Sequence, residues 1–377
     1  MKKTLWMLGV AVAALTSCTQ NEVLEVPESK LIAFDTHVDK STRAVKNLLG
    51  NDNIEKFYVY GVKGSKNGEV FTNEDGQNFL FDGIEVSRTK TNQVWGAFSY
   101  EDLKAWEMGK YYRFAGYSNG NEKVGSNGSV TFFGNDSKTI KTGNTTSVTK
   151  ANVWGLDFAG YSSNGDDLLA AVPAERDTET NNGAQTAVHF TFKHLLSQVI
   201  FRFTYGTTQG ATDIKVRIKN FKLNAIKKSN CTVICDNGET LVSWDSQYEK
   251  IADLSVNSYT GSSESGEYDY FEGNKSMSNT AGDNIAIDQH YVIPQKNELT
   301  VSFVTESFKE EDGGEVVTNT TYYNDIPLTI ANHEYWKPGF VYRYEANLNP
   351  TEHIIYFTAS VSAFDDTPER DQTIRSN

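Results

Sequence analysis

Apolar and polar residues alternate with a period of two along most of this chain, a pattern that predicts half-buried strands. The first run places Ile32, Phe34, Thr36 and Val38 on one face and Ala33, Asp35 and His37 on the other. Strand signals return at residues 57–62, 94–98 and 111–117, the last ending at the turn pair Asn119-Gly120. Val188, Phe190 and Phe192 alternate with His189, Thr191 and Lys193, and Val199, Phe201, Phe203 and Tyr205 follow. Ile214, Val216 and Ile218 alternate with Lys215, Arg217 and Lys219, and Phe221 and Leu223 then take the other parity. A slip of one residue predicts a β-bulge there. Further strands are expected at 268–271, 290–293, 299–304, 324–328 and 342–348. A final strand over 355–363 puts Ile355, Phe357, Ala359, Val361 and Ala363 on one face. No amphipathic helix longer than two turns is found. The expected fold is all-β, with two tandem β-sandwich domains of transthyretin-like, Greek-key type.

The N-terminus breaks the alternation. Lys2 and Lys3 precede an apolar run over residues 5–15, and Leu15-Thr16-Ser17-Cys18 closes it. A basic start, a short apolar stretch and small residues before the cut mark an export signal too short to span a bilayer. The tetrapeptide is a bacterial lipobox, which predicts cleavage before Cys18 and acylation of its thiol. Two or more acyl chains hold a protein stably on a membrane. The expected layout is a signal peptide at 1–17, a lipidated propeptide with the first strand at 18–43, and domains at 44–207 and 208–377. The junction is placed at Gly206-Thr207-Thr208-Gln209-Gly210.

Composition narrows the partners. Formal net charge is −14 in 377 residues, which argues against nucleic acid and against an electrostatic hold on anionic lipid. Three cysteines do not build a disulfide framework. Cys231 and Cys235 fall on one face of a strand about 13 Å apart, too far to bridge, and read as small buried residues. No cofactor is expected.

Chemistry-bearing patterns are thin. Gly116-Tyr117-Ser118-Asn119-Gly120 matches the G-x-S-x-G nucleophile elbow, but that motif needs a helix after the serine; residues 121–128 read as a turn. His194, His290, His333 and His353 show no metal-ligand spacing. Asn73-Glu74-Asp75-Gly76 has part of a calcium loop without its distal glutamate and reads as a turn. No metal site and no enzymatic activity are expected.

Several phrases together resemble the fimbrillins of Bacteroidales, the subunits of type V pili. They are the lipobox, the Arg43-Ala44 junction after one strand, Asp167-Leu168-Leu169-Ala170-Ala171, residues 190–197, Val292-Ile293-Pro294-Gln295 and residues 336–344. One departure is Phe364, where family members often have tryptophan. The resemblance implies a lipoprotein precursor at the cell outer membrane, cut after Arg43 by an arginine-specific protease and then built into a surface fimbrium. Loss of the segment carrying Ile32, Phe34 and Val38 leaves an apolar groove and a bare strand edge, a template for another chain. The strand carrying Ile355, Phe357, Ala359, Val361 and Ala363 is the expected donor. Such head-to-tail contacts do not close and grow a fibre of other pilin subunits. Two alternatives stand beside a stalk or tip subunit. One is a pilus anchor that keeps its lipid; the other is a surface glycan-binding lipoprotein stacking sugars on Trp95, Trp106, Trp154, Trp244 and Trp336.

Overall fold

The computed structural model describes residues 31–38, 54–64, 79–142, 146–163, 165–178, 186–205, 214–226, 228–245, 267–269, 275–277, 284–295, 299–328, 336–348, 356–363 and 369–375. Among them there is no α-helix, and the strands assemble into four main sheets and one ribbon. The all-β expectation holds.

In the first sheet, β1 (Phe34–Val38), β11 (Val188–His194), β9 (Leu168–Ala171), β6 (Tyr111–Asn119), β2 (Lys56–Gly64) and β3 (Phe79–Ser87) lie side by side in that order. Beside them β10 (Arg176–Asp177) pairs with β6. The second sheet runs β15 (Glu239–Trp244), β14 (Lys228–Asp236), β8 (Thr146–Ser162) and β7 (Ser129–Thr142). Tyr58, Tyr60 and Tyr117 of the first sheet pack on Phe132, Leu156, Phe158, Cys231, Val233 and Trp244 of the second, all buried. This is one sandwich.

The third sheet runs β18 (Asn284–Val292), β12 (Ser197–Tyr205), β21 (Phe340–Leu348), β22 (Tyr356–Ala363) and β23 (Glu369–Arg375). The fourth runs β16 (Glu267–Asp269), β13 (Lys215–Asn224), β19 (Leu299–Glu311) and β20 (Gly314–Leu328), with β17 (Lys275–Met277) also on β13. Phe201, Phe203, Ile218, Phe221, Val301, Phe303, Tyr344 and Phe357 fill the space between these two sheets. The predicted bulge is present: the β13–β19 register shifts between Lys219 and Lys222, where Asn220 adopts a left-handed φ of 51°. On the solvent face, Arg217 lies 2.6 Å from Glu306 and 2.5 Å from Glu315, and Lys219 lies 2.7 Å from Glu306.

The strands do not divide at residue 207, and the expected boundary is corrected. β12 precedes that point yet pairs with β18 and β21 of the second sandwich. β14 and β15 follow it yet complete the first sandwich by pairing with β8. The cause is where their apolar faces go: Cys231, Val233, Cys235 and Trp244 are buried in the first core. The junction residues 206–210 lie outside the described residues.

The first sheet is covered on both faces. Its second face carries Phe57, Val59, Phe81, Phe114 and Phe190 in a separate cluster, roofed by Phe98, Tyr100 and Trp106 from the connection between β3 and β6. That connection contains only the ribbon of β4 (Lys90–Thr91) and β5 (Val94–Trp95).

Candidate functional site

The site is the lane occupied by β1. Its sequence, Ile32-Ala33-Phe34-Asp35-Thr36-His37-Val38, suits a strand: β-branched and aromatic residues at alternate positions and polar ones between. β1 lies at the end of the first sheet and pairs with β11 in parallel, with Phe34 opposite Val188, Asp35 opposite His189 and Val38 opposite Phe192. Ile32 is 1% exposed and Phe34 6%. Burying these two side chains is worth roughly 3–6 kcal/mol.

Phe34 sits in a cage of four rings. Its centroid is 5.2 Å from Tyr100, 5.5 Å from Phe81, 5.8 Å from Phe190 and 6.1 Å from Phe114. The Phe190 and Phe114 contacts are edge-on, a favoured aromatic geometry. The roof also grips the backbone. Ile32 N–H donates to the Lys104 carbonyl at 2.8 Å, and the Tyr100 hydroxyl donates to the Ile32 carbonyl at 2.7 Å. Burial pushes the Tyr100 phenol up, partly offset by the Lys104 N–H that it accepts, so it remains a donor at physiological pH. On the other side, Val188 N–H donates to the Ala33 carbonyl at 2.8 Å. The outer face is polar: Asp35 Oδ2 is 3.4 Å from His189 Nδ1, with both side chains largely in solvent.

Ile32 and Phe34 thus come together as the sequence predicts. For Val38 the structure gives the backbone pairing alone. Cys18, Arg43, Ala44 and Ile355 lie outside the described residues. The donor candidate is β22 of the third sheet. β22 is not a free terminal strand but an internal one, paired with β21 on one side and β23 on the other. Phe357, Ala359 and Val361 are buried in their own domain's core, and Ala363 is half-buried. β23 escaped sequence reading because Glu369-Arg370-Asp371-Gln372-Thr373-Ile374-Arg375 has no apolar alternation.

Other candidates resolve simply. Ser118 lies within strand β6, fully buried, and its hydroxyl donates to the Lys56 carbonyl at 2.6 Å; no helix follows it. The turn after Asn119 is a tight hairpin turn, with Asn119 and Glu122 bridged antiparallel across Gly120 and Asn121 at left-handed φ of 61° and 68°, and the chain then passes from the first sheet to the second. Trp106, Trp154, Trp244 and Trp336 are all buried and out of reach of a sugar, and Trp95 is half-buried with Arg88 and Lys90 over its ring. Asn73-Glu74-Asp75-Gly76 lies outside the described residues.

Sequence reading missed the roof and one buried pair. In residues 88–110 the strand expected at 94–98 shortens to β5 (Val94–Trp95), and the remaining signal is the density of aromatics at 95, 98, 100 and 106. His194 Nδ1 lies 2.8 Å from Asp167 Oδ2, both buried, where the chain passes between the sandwiches. Both residues stood in phrases already singled out, with nothing to pair them.

A match to the family described as fimbrillin-like spans residues 42–363. The chain belongs to the fimbrillin-like family. Among relatives, this fimbrillin-like chain is 23% identical over 383 residues to the fimbrium subunit Fim1C of Phocaeicola vulgatus, covering 96% of this chain and 94% of that protein. Its fold is similar to the crystal structure of a fimbrial protein from Bacteroides vulgatus, with a TM-score of 0.51 at 16% identity, covering 89% of this chain and 99% of that one.

Proposed function

We propose that this fimbrillin-like chain is a structural subunit of a surface fimbrium whose assembly is triggered by proteolytic removal of β1. In this reading the precursor is exported, acylated on Cys18 and held at the outer membrane. An arginine-specific protease cuts between Arg43 and Ala44. The cut separates residues 18–43, lipid included, from the rest, and a strand from a neighbouring subunit takes the emptied lane. Stalk and tip roles both fit this scheme.

The observation that supports it is the burial of Ile32 and Phe34. These residues lie upstream of the cut yet help build the core of the domain downstream of it. Removing them uncovers the apolar cage and one edge of β11, the kind of template that recruits a foreign strand. Low-dose trypsin on the purified precursor tests the scheme. The expected first cut is after Arg43, followed by SDS-resistant ladders, with both lost in R43A. A cut after Arg43 that yields monomers only would overturn the strand-replacement step. Resistance at Arg43 would point to an anchor subunit.

A further inference from the structure

The alternation that buries one face of β11 leaves its other face polar. Val188, Phe190 and Phe192 enter the roofed cluster, so His189, Thr191 and Lys193 point the opposite way. That is the side on which Leu168 and Ala170 of the neighbouring β9 enter the main core, with Ala170 opposite Lys193. Polar residues at this margin do not close against the second sheet. A cleft of about 490 Å³ opens between them and β15, with residues 172–176 completing its wall. That volume is in the range of small-molecule sites.

Two cations line the cleft without an acid of their own. Lys193 Nζ donates to the Thr240 carbonyl at 2.9 Å. The Arg176 guanidinium donates to the Ala187 carbonyl at 3.0 Å and lies 3.5 Å from the Thr186 hydroxyl. Neither forms an ion pair with a carboxylate among the described residues, and both are half-buried. Glu175, next to Arg176 in the chain, is instead held by Arg113 at 2.6 Å. Acidic residues outnumber basic ones 49 to 35, so two cations left to neutral oxygens in one cleft mark a place for an outside anion. We propose that this cleft binds a sugar acid, whose carboxylate Arg176 and Lys193 hold. The arginine fork matches a carboxylate with two parallel hydrogen bonds. The rest of the lining selects what is attached to it. Glu239 on the rim accepts hydrogen bonds from hydroxyls and repels a second negative charge, which disfavours phosphate. Thr191 and His189 offer further polar contacts, and Pro173 and Ala174 offer an apolar patch for the C–H face of a sugar ring. Asp35 of β1, 3.4 Å from His189, adds a repelling carboxylate beside the cleft. On the proposed scheme it leaves with β1, so the cut subunit would bind more tightly; the cleft itself does not depend on that scheme.

Ligand-observed NMR titration of the uncut precursor tests the site with D-glucuronate, D-glucose and inorganic sulfate. Glucuronate should bind about tenfold or more tighter than glucose, from which it differs only by its carboxylate. R176Q and K193Q should each weaken glucuronate about tenfold, and R176K, which keeps the charge but loses the fork, should weaken it as well. K123Q, outside the lining, should leave it unchanged. Methyl β-glucuronide separates the two sources of such an acid: binding equal to glucuronate assigns the cleft to the end of a glycan chain, and binding lost assigns it to the free sugar. D35N, which removes the neighbouring carboxylate without any cut, should tighten binding about two- to threefold; failure of that arm alone would overturn the coupling to β1 and leave the site standing. Glucuronate binding no tighter than glucose, matched by sulfate, or unchanged in R176Q/K193Q would overturn the proposal, and none of these results bears on strand replacement.

Discussion

Replacing Phe34 by alanine removes the side chain that fixes β1 in its lane. The ring is 6% exposed and has four aromatic neighbours with centroids within 6.1 Å. Truncating a buried phenylalanine costs about 3–5 kcal/mol, part in lost transfer energy and part in the void left behind. The void cannot collapse easily, because Phe81, Phe114 and Phe190 are themselves held in strands of the first sheet. β1 lies at the sheet edge and can open without the rest, so the loss falls on its docking equilibrium. At about 1.4 kcal/mol per decade, open β1 should become roughly 10² to 10⁴ times more populated. Hydrogen exchange read by mass spectrometry checks this in the uncut protein. Amides of residues 34–38 should exchange faster in F34A by that factor, and those of 188–192, whose strand partner is β1, should follow. D35A is the control: its pair with His189 is exposed, and exchange should barely change. Equal exchange in F34A and the parent protein would mean that the cage does not hold β1, and the account of the site would fail.

Four further outcomes are expected. A β-carbon at Gly155 would lie 1.9 Å from the Val233 carbonyl oxygen of the adjoining strand, so G155A should destabilise the first sandwich by roughly 3 kcal/mol in a thermal melt. Burial pushes the Cys231 thiol well above its usual range, and Cys235 shifts the same way, so neither should react with a thiol reagent at pH 8 until denaturant is added. Burial disfavours charge on Glu306, but hydrogen bonds from Lys219 and Arg217 outweigh it and its carboxyl titrates below the usual range. A lowered folded value gives stability that is present above the unfolded value near 4.3 and lost as pH falls through the folded one, so R217A should melt about 1 kcal/mol easier at neutral pH, with the difference shrinking on acidification. In Y100F the Ile32 carbonyl loses its hydroxyl donor, so exchange in β1 should quicken by about 1 kcal/mol, or five- to tenfold, with little change in melting temperature.

What the sequence made legible was local. Val188, Phe190 and Phe192, and later Val199, Phe201 and Phe203, are all fully buried, because a strand's faces follow from its own alternation. The bulge after Lys219 was legible for the same reason: a parity change is a property of one strand. Partners were not legible. β1 finds β11 about 150 residues away, and nothing in Ile32-Ala33-Phe34 says so. The domain boundary failed on the same ground, since Gly206–Gly210 reads as a break while the sheets exchange strands across it. The roof over β1 was hidden because irregular chain has no period, and it works through single groups such as the Tyr100 hydroxyl and the Lys104 carbonyl.

On the proposed scheme, the two faces of the first sheet account for how a subunit could be built around a part that proteolysis removes. The core between the first and second sheets, with Tyr117, Phe158, Val233 and Trp244, includes no residue from 31–38. The cluster on the opposite face includes Ile32 and Phe34. Cutting away β1 therefore leaves the sandwich's main core whole and opens only the cluster under the roof. A single core shared by both faces would unfold with its strand, and a β1 lying outside any core would leave nothing for a partner to fill. On the proposed scheme the loss is confined to one face, so the cut subunit would remain folded, with an apolar lane beside β11. Filling that lane would gain about what Ile32 and Phe34 supply in the uncut chain, roughly 3–6 kcal/mol of side-chain burial plus the strand's backbone bonds. On the proposed scheme, cleavage would convert an intramolecular contact into an intermolecular one of similar strength, irreversibly, because the peptide bond that kept β1 at high local concentration would be gone.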